Sequence, residues 1–174
     1  MIKNESEYKY SQEWAEKFKR SISAMGQDEE WKRNDLSRWE SNLSVLLYHL
    51  EELEKEIAEY ERLINCDCSQ PIEIEVKKFS ELAEALIKAR MAAKISHEEL
   101  AEIVGFDSGR IKQCEDKRYE CASFGEMLEI SAALGIEFRN TAIWVNFEEI
   151  ETGKKIAKRW RKRREKMKMA STRS

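Results

Sequence analysis

Proline and glycine are scarce in this chain, and their scarcity limits the folds and the chemistry open to it. The 174 residues include one proline and six glycines. Because strand-rich folds need frequent glycine and proline turns, we expect a mainly α-helical protein with only short strand elements. Cofactor loops also need glycine, and the sequence has neither a phosphate-binding loop nor a dinucleotide-binding fingerprint.

Histidine is equally rare, which leaves little basis for catalysis. His49 lies within a predicted long helix and His97 at the start of another, and neither belongs to a His-Glu-x-x-His pattern. No nucleophile accompanies either histidine in a recognisable turn motif. We therefore predict that the protein is not an enzyme and uses no cofactor.

Four cysteines are present, but their spacing does not match a metal site. Cys66 and Cys68 form a Cys-x-Cys pair rather than the Cys-x2-Cys pair typical of zinc, and no histidine lies near them or near Cys114 and Cys121. We predict no metal, and we interpret Cys114 as a buried thiol and Cys121 as a loop thiol, both reduced. Cys66 and Cys68 lie in a predicted linker, where redox sensitivity is a minor alternative.

Long apolar runs are also missing. No run approaches the roughly 20 residues that a helix needs to cross a bilayer. The first ten residues, MIKNESEYKY, lack the apolar centre of a signal peptide. We expect a cytoplasmic protein without a membrane partner.

Charge is abundant and unevenly distributed. Residues 154–168 contain ten Lys or Arg and one Glu, whereas residues 1–153 contain 20 basic and 33 acidic side chains. The sequence therefore predicts an acidic body with a basic C-terminal helix or tail. Three interpretations of the tail stay open: a solvated, partly helical segment, a contact with DNA or RNA, and binding to an anionic membrane surface.

The N-terminal third carries a heptad pattern typical of a coiled-coil seam. Its members are Leu36, Trp39, Leu43, Leu46, Leu50, Leu53, Ile57, Tyr60 and Ile64. A shorter apolar stripe precedes it: Trp14, Phe18, Ile22 and Met25. With a turn between them, the two stripes predict an α-hairpin whose first helix covers only half of the seam. The other half would pack within the chain or meet a second protomer, the C-terminal helix or another protein.

Residues 96–115, SHEELAEIVGFDSGRIKQCE, predict two short helices joined by a tight turn. Ser96 and Glu99 have the spacing of a capping box, so a helix begins there, and Gly105 is suited to the left-handed backbone at its end.

The second helix of this pair has a buried side and a polar side. Asp107 is a suitable N-cap for it, and Ile111 and Cys114 face inward. Such a pair is a helix-turn-helix, whose second helix fits the major groove of DNA.

The polar residues on and around the second helix are the candidate DNA contacts. Arg110, Lys112 and Gln113 are predicted to read or flank bases, since Arg pairs well with guanine and Gln with adenine. The whole predicted DNA-binding set is His97, Ser108, Gly109, Arg110, Lys112, Gln113, Lys117 and Arg118. Residues 79–140 carry 8 basic and 12 acidic side chains, so we expect the basic tail to add non-specific attraction to phosphate.

These segments resemble the Cro/lambda-repressor-like (XRE) helix-turn-helix family. The likeness spans roughly Phe79 to Ile136 and rests on LAEALIKARMAAKIS, HEELAEIVG, FDSGRIKQCEDKRY and SFGEMLEISAALGI. The opening MIKNESEYKYSQEWAEKF resembles a bacterial group with a helical N-terminal extension, described as antitoxin-like or regulatory. The resemblance implies a homodimer on double-stranded DNA.

The chain departs from the family at positions that matter for contacts. His97 and Ser108 stand where many members have glutamines that bridge phosphate and base. Lys117 replaces a common glycine, and Cys114 replaces a larger apolar residue. Base specificity therefore does not carry over from the family.

Four regions are predicted: a hairpin at 1–65, a linker at 66–78, a helix-turn-helix domain at 79–140, and a strand-like segment with the basic tail at 141–174. The predicted function is a sequence-specific DNA-binding regulator that represses its own operon, with the antitoxin of a toxin-antitoxin pair as a narrower form. The alternative is a scaffold whose hairpin and bundle bind a partner protein, such as a toxin, instead of DNA.

Overall fold

The computed structural model describes residues 1–139 and 142–171 and is mainly α-helical, as the composition predicts. Its helices are α1 (Glu5–Gln27), α2 (Glu29–Asn34), α3 (Leu36–Ile64), α4 (Leu82–Ala92), α5 (His97–Val104), α6 (Arg110–Asp116), α7 (Phe124–Ala133) and α8 (Phe147–Ser171), with a 3₁₀ turn at Phe79–Glu81. They divide into two compact units, Met1–Ile136 and Glu137–Ser174. The predicted hairpin, linker and most of the predicted 79–140 domain thus lie in one unit.

Helices α1 and α3 form the predicted hairpin and pack along nearly the whole of α1. The Trp39 indole donates a hydrogen bond to the Met25 carbonyl, 3.0 Å away, at one end. At the other end Tyr8 stacks on Tyr60, with 4.9 Å between ring centroids. The expectation that the first helix covers only half of the seam is wrong, because α1 begins at Glu5 and reaches the far end of α3.

One hydrophobic core joins the hairpin to the four helices that follow. Tyr60 and Leu63, near the end of α3, are buried in it, and Ile2 joins them from the N-terminus. The other fully or nearly fully buried members are Leu86, Ile87, Met91, Ala92, Leu100, Ala101, Ile111, Cys114, Tyr119 and Ile130. Because burying one large aliphatic side chain contributes about 1.5–3 kcal/mol, this shared core makes the hairpin an integral part of the first unit.

No strand occurs in residues 1–139 or 142–171, so the strand elements predicted there are wrong. Ile72, Ile74 and Val76 do alternate as expected, each half-buried between exposed neighbours. No second extended segment pairs with them, and a strand needs a neighbour for its backbone hydrogen bonds. Part of the second predicted strand, Asn140 and Thr141, lies outside the described residues.

The second unit contains α8, so the basic segment is helical. The Asn146 side chain caps its start by accepting hydrogen bonds from the Glu148 and Glu149 amides at 3.0 and 3.3 Å. Its apolar side chains Ile156 and Trp160 are exposed. Among the described helices, none has both the length and the hydrophobicity to cross a membrane.

Candidate nucleic-acid interface

Helix α5 begins and ends where local chemistry predicts. The Ser96 hydroxyl accepts a hydrogen bond from the Glu99 amide at 3.1 Å, and the Glu99 carboxylate accepts one from the Ser96 amide at 2.7 Å. This is the predicted capping box. Gly105 ends the helix with φ of 73°, in the left-handed region that favours glycine.

Helix α6 has the predicted buried side but starts later than expected. Ile111 and Cys114 are both 0% exposed, which confirms their inward placement. The prediction of Asp107 as the N-cap is wrong, because Gly109 occupies that position. Asp107 instead closes a turn before the helix, its carbonyl accepting a hydrogen bond from the Arg110 amide at 2.8 Å.

Six of the eight predicted DNA contacts are exposed around α6. They are Ser108 and Gly109 in the turn, Lys112 and Gln113 on the helix, and Lys117 and Arg118 just after it. Within the part of the chain that the structure describes, no ion pair engages the three cations of this set. These six residues are called the α6 surface below.

Arg110, one of the three candidates for a base contact, is hydrogen-bonded to other groups of the protein. Its Nε and Nη2 donate to the two carboxylate oxygens of Glu126 at 2.8 and 3.1 Å. Nη2 also donates to the Cys121 carbonyl at 3.0 Å, and Nη1 donates to Gln113 Oε1 at 3.0 Å. These hydrogen bonds connect α6 to the start of α7, and only 27% of the Arg110 side chain is exposed.

Glu126 accepts hydrogen bonds from both α6 and the start of α7. It caps α7 by accepting a hydrogen bond from the Ser123 amide at 2.7 Å, and it pairs with Arg110. The Arg110 guanidinium, helped by the Ser123 amide, lowers the pKa of Glu126 from 4.5 to about 2. The same contact raises the pKa of Arg110. Glu126 therefore faces α6.

His97, a member of the predicted DNA-binding set, is hydrogen-bonded to a buried carboxylate. Its Nε2 lies 2.9 Å from Oε2 of Glu115, which is 2% exposed. Arg90 donates to both oxygens of the same carboxylate at 2.6 and 2.8 Å. Lys3 donates to the Glu115 carbonyl at 2.8 Å. This cluster fixes the start of α5 against α6, and it leaves the His97 ring 29% exposed.

The sequence pattern did not reveal three charged residues that bind the predicted contacts Arg110 and His97 or one another: Arg90, Glu115 and Glu126. A signal existed for Glu126, because Ser123 and Glu126 have capping-box spacing. No local pattern pairs Glu115 with Arg90, since 25 residues separate them.

Among the described residues, no group of three or more His, Cys, Asp or Glu side chains is arranged to hold a metal ion. Comparisons of the chain with protein-family models, with curated proteins and with solved structures found no match. The likeness to the XRE family therefore stays a prediction from the quoted segments.

Proposed function

We propose that the protein is a sequence-specific DNA-binding transcriptional regulator that presents α6 to the major groove. The supporting observation is the division of α6 into two sides, with Ile111 and Cys114 fully buried and Lys112 and Gln113 exposed. An α-helix of this kind fits the major groove, where base edges offer a distinct pattern of donors and acceptors.

The contacts of Arg110 change the roles proposed for individual residues. Gln113 Oε1 accepts a hydrogen bond from Arg110, which orients the Gln113 amide, so Arg110 is a positioning residue. Gln113 and Lys112 then read bases. Ser108, Lys117 and Arg118 hold phosphates, which sets the register of the helix without reading sequence.

The biological setting of the proposal rests on the family resemblance. It consists of a homodimer that reads two half-sites about one helical turn apart, near 34 Å, and represses its own operon. The antitoxin of a toxin-antitoxin pair is the narrower form, which a toxin-like reading frame beside the gene would favour.

A selection from random DNA duplexes tests the proposal. The wild type is expected to enrich one sequence with a two-fold repeat. Gln113→Ala should bind that duplex about 5- to 150-fold more weakly, the equivalent of about 1–3 kcal/mol for one base contact. Fluorescence anisotropy measures both affinities. Gln27→Ala, which removes an exposed glutamine at the end of α1, is the matched control and should bind as the wild type does.

The alternative, a protein-binding scaffold, is favoured by one surface of the hairpin. Five rings follow one another there, each centroid 5.7 to 6.0 Å from the next: Tyr10, Trp14, Phe18, His49 and Tyr48. Tyr10 and Tyr48 are each 60% exposed, and exposed aromatic surface is typical of protein interfaces. If no duplex is enriched in the selection, the DNA proposal fails and the scaffold is preferred.

A further inference from the structure

Two thiols face each other where the chain after α6 folds back on that helix. Cys114 Sγ lies 3.9 Å from Cys121 Sγ, and both cysteines are free. The sulfurs are in van der Waals contact, and an approach of about 1.9 Å brings them to the disulfide bond length of about 2.05 Å.

The backbone between the two cysteines holds them in this arrangement. The Tyr119 amide donates to the Cys114 carbonyl at 2.7 Å, and the Ala122 amide donates to the Tyr119 carbonyl at 3.0 Å. Arg118 and Tyr119 adopt left-handed backbone, with φ of 49° and 59°, which reverses the chain toward α6. Tyr119 is 3% exposed and anchors the loop in the core.

We propose that Cys114 and Cys121 are an oxidative modification site, at which a hydroperoxide forms an intramolecular disulfide. Cys121 is half-buried and Cys114 is 0% exposed, so the oxidant reaches Cys121 first. Burial raises the pKa of Cys114 to about 11, which keeps it a thiol at neutral pH and disfavours its direct reaction with the oxidant.

The disulfide forms in two steps. In the first, the deprotonated sulfur of Cys121 attacks one peroxide oxygen, the O–O bond breaks, and the second oxygen leaves as hydroxide and takes up the released proton to become water. In the second, the Cys114 sulfur attacks the sulfenic sulfur of Cys121, the S–O bond breaks, and the hydroxyl leaves with the Cys114 proton as water. Two thiols and one hydrogen peroxide thus give one disulfide and two waters.

The sequence pointed to a different pair for redox chemistry. Cys66 and Cys68 are close neighbours in the linker, and both sulfurs donate to the Ala92 carbonyl, at 3.2 and 3.5 Å. They are separate from the Cys114 and Cys121 pair. Replacing both by serine therefore isolates the proposed site in the full chain.

The test uses the full chain with Cys66→Ser and Cys68→Ser. Hydrogen peroxide is added in slight excess, free thiols are alkylated in denaturant, and tryptic peptides are analysed by mass spectrometry without reduction. Trypsin cuts after Lys117 and Arg118, so the disulfide is expected as two linked peptides, lighter by two hydrogens than their reduced forms. Dithiothreitol should release them.

Two further variants check the order of the steps. With Cys114→Ser, Cys121 should accumulate as a sulfenic acid that dimedone traps. With Cys121→Ser, Cys114 should remain alkylatable after the same treatment. The proposal is overturned if peroxide leaves Cys114 alkylatable while Cys121 becomes a sulfinic acid, if the only disulfides join two chains, or if Cys114 oxidises equally fast without Cys121. None of these readouts depends on DNA binding.

Discussion

Glu115 is the residue on which three separate parts of the first unit depend. Arg90 from α4 and His97 from α5 bind its carboxylate, and Lys3 binds its carbonyl. With Glu115 2% exposed and Arg90 8% exposed, the pair is screened from water. A buried charge without its partner costs far more than an exposed one.

We predict that Glu115→Ala lowers the free energy of unfolding by about 3–5 kcal/mol, because it leaves the Arg90 guanidinium buried and unpaired. Urea denaturation followed by circular dichroism measures the change. Glu120→Ala, at an exposed position in the loop after α6, is the control and should change stability by no more than about 0.5 kcal/mol. Equal effects of the two substitutions would contradict the prediction.

Individual residues were predictable where their partners lie close in sequence. Ser96 and Glu99 cap α5 as expected, and Gly105 ends it, because each depends only on backbone groups within one helical turn. Arg110 was not predictable in the same way. Its place on α6 predicts an exposed, base-reading side chain. In the structure Arg110 instead forms an ion pair with Glu126, 16 residues away.

Helices α6 and α7 are joined by the pair that Arg110 makes with Glu126. Because the pKa of Glu126 in the folded protein is about 2, below its ordinary value of 4.5, the ionised carboxylate stabilises the fold. This stabilisation is complete above the ordinary pKa and is lost as the pH falls through the folded pKa.

We therefore predict that Glu126→Gln lowers the melting temperature at neutral pH and that the difference from the wild type shrinks below about pH 4.5 and vanishes near pH 2. Thermal melts across this range measure the difference. Glu129→Gln, which replaces an exposed glutamate on the same helix, should have the melting temperature of the wild type at every pH in this range. If the difference in melting temperature between Glu126→Gln and the wild type stayed the same down to about pH 2, the stabilising role of the ionised Glu126 carboxylate would be refuted.

The helices themselves were largely predictable from the sequence, but which of their residues are buried was not. The heptad pattern correctly predicts one long helix from Leu36 to Ile64. It does not reveal that Leu63, which lies off the seam, is 1% exposed, whereas Leu36 on the seam is 50% exposed. Periodicity indicates which face of a helix is apolar, while the neighbouring elements decide which part of that face is covered.

The whole molecule divides its charge between its two units. Residues 154–168, within α8, carry ten cations and one anion, and the first unit is acidic. In the proposed function this helix supplies attraction to phosphate that does not depend on sequence, and such attraction weakens with salt.

We predict that replacing Arg161, Lys162, Arg163 and Arg164 by Gln weakens binding to all duplexes alike. The slope of log affinity against log salt should fall by about 0.9 for each phosphate that these side chains no longer neutralise. Anisotropy titrations at several salt concentrations measure it. The matched control makes the same change of charge in the hairpin, at Lys9, Lys17, Arg20 and Arg33, all of which are exposed. An equal weakening in both variants would show that net charge alone, and not α8, governs binding.

The sequence by itself determined the helical class, the ends of α5 and the buried side of α6. These features depend on composition and on contacts within one or two helical turns. Only the tertiary structure decided that Arg110 and His97 turn to the carboxylates of Glu126 and Glu115, that α1 reaches the far end of α3, and that Cys121 lies against Cys114. The physical reason is that a charged or reactive side chain takes the partner that packing brings within reach, and packing is set by segments far apart in the chain.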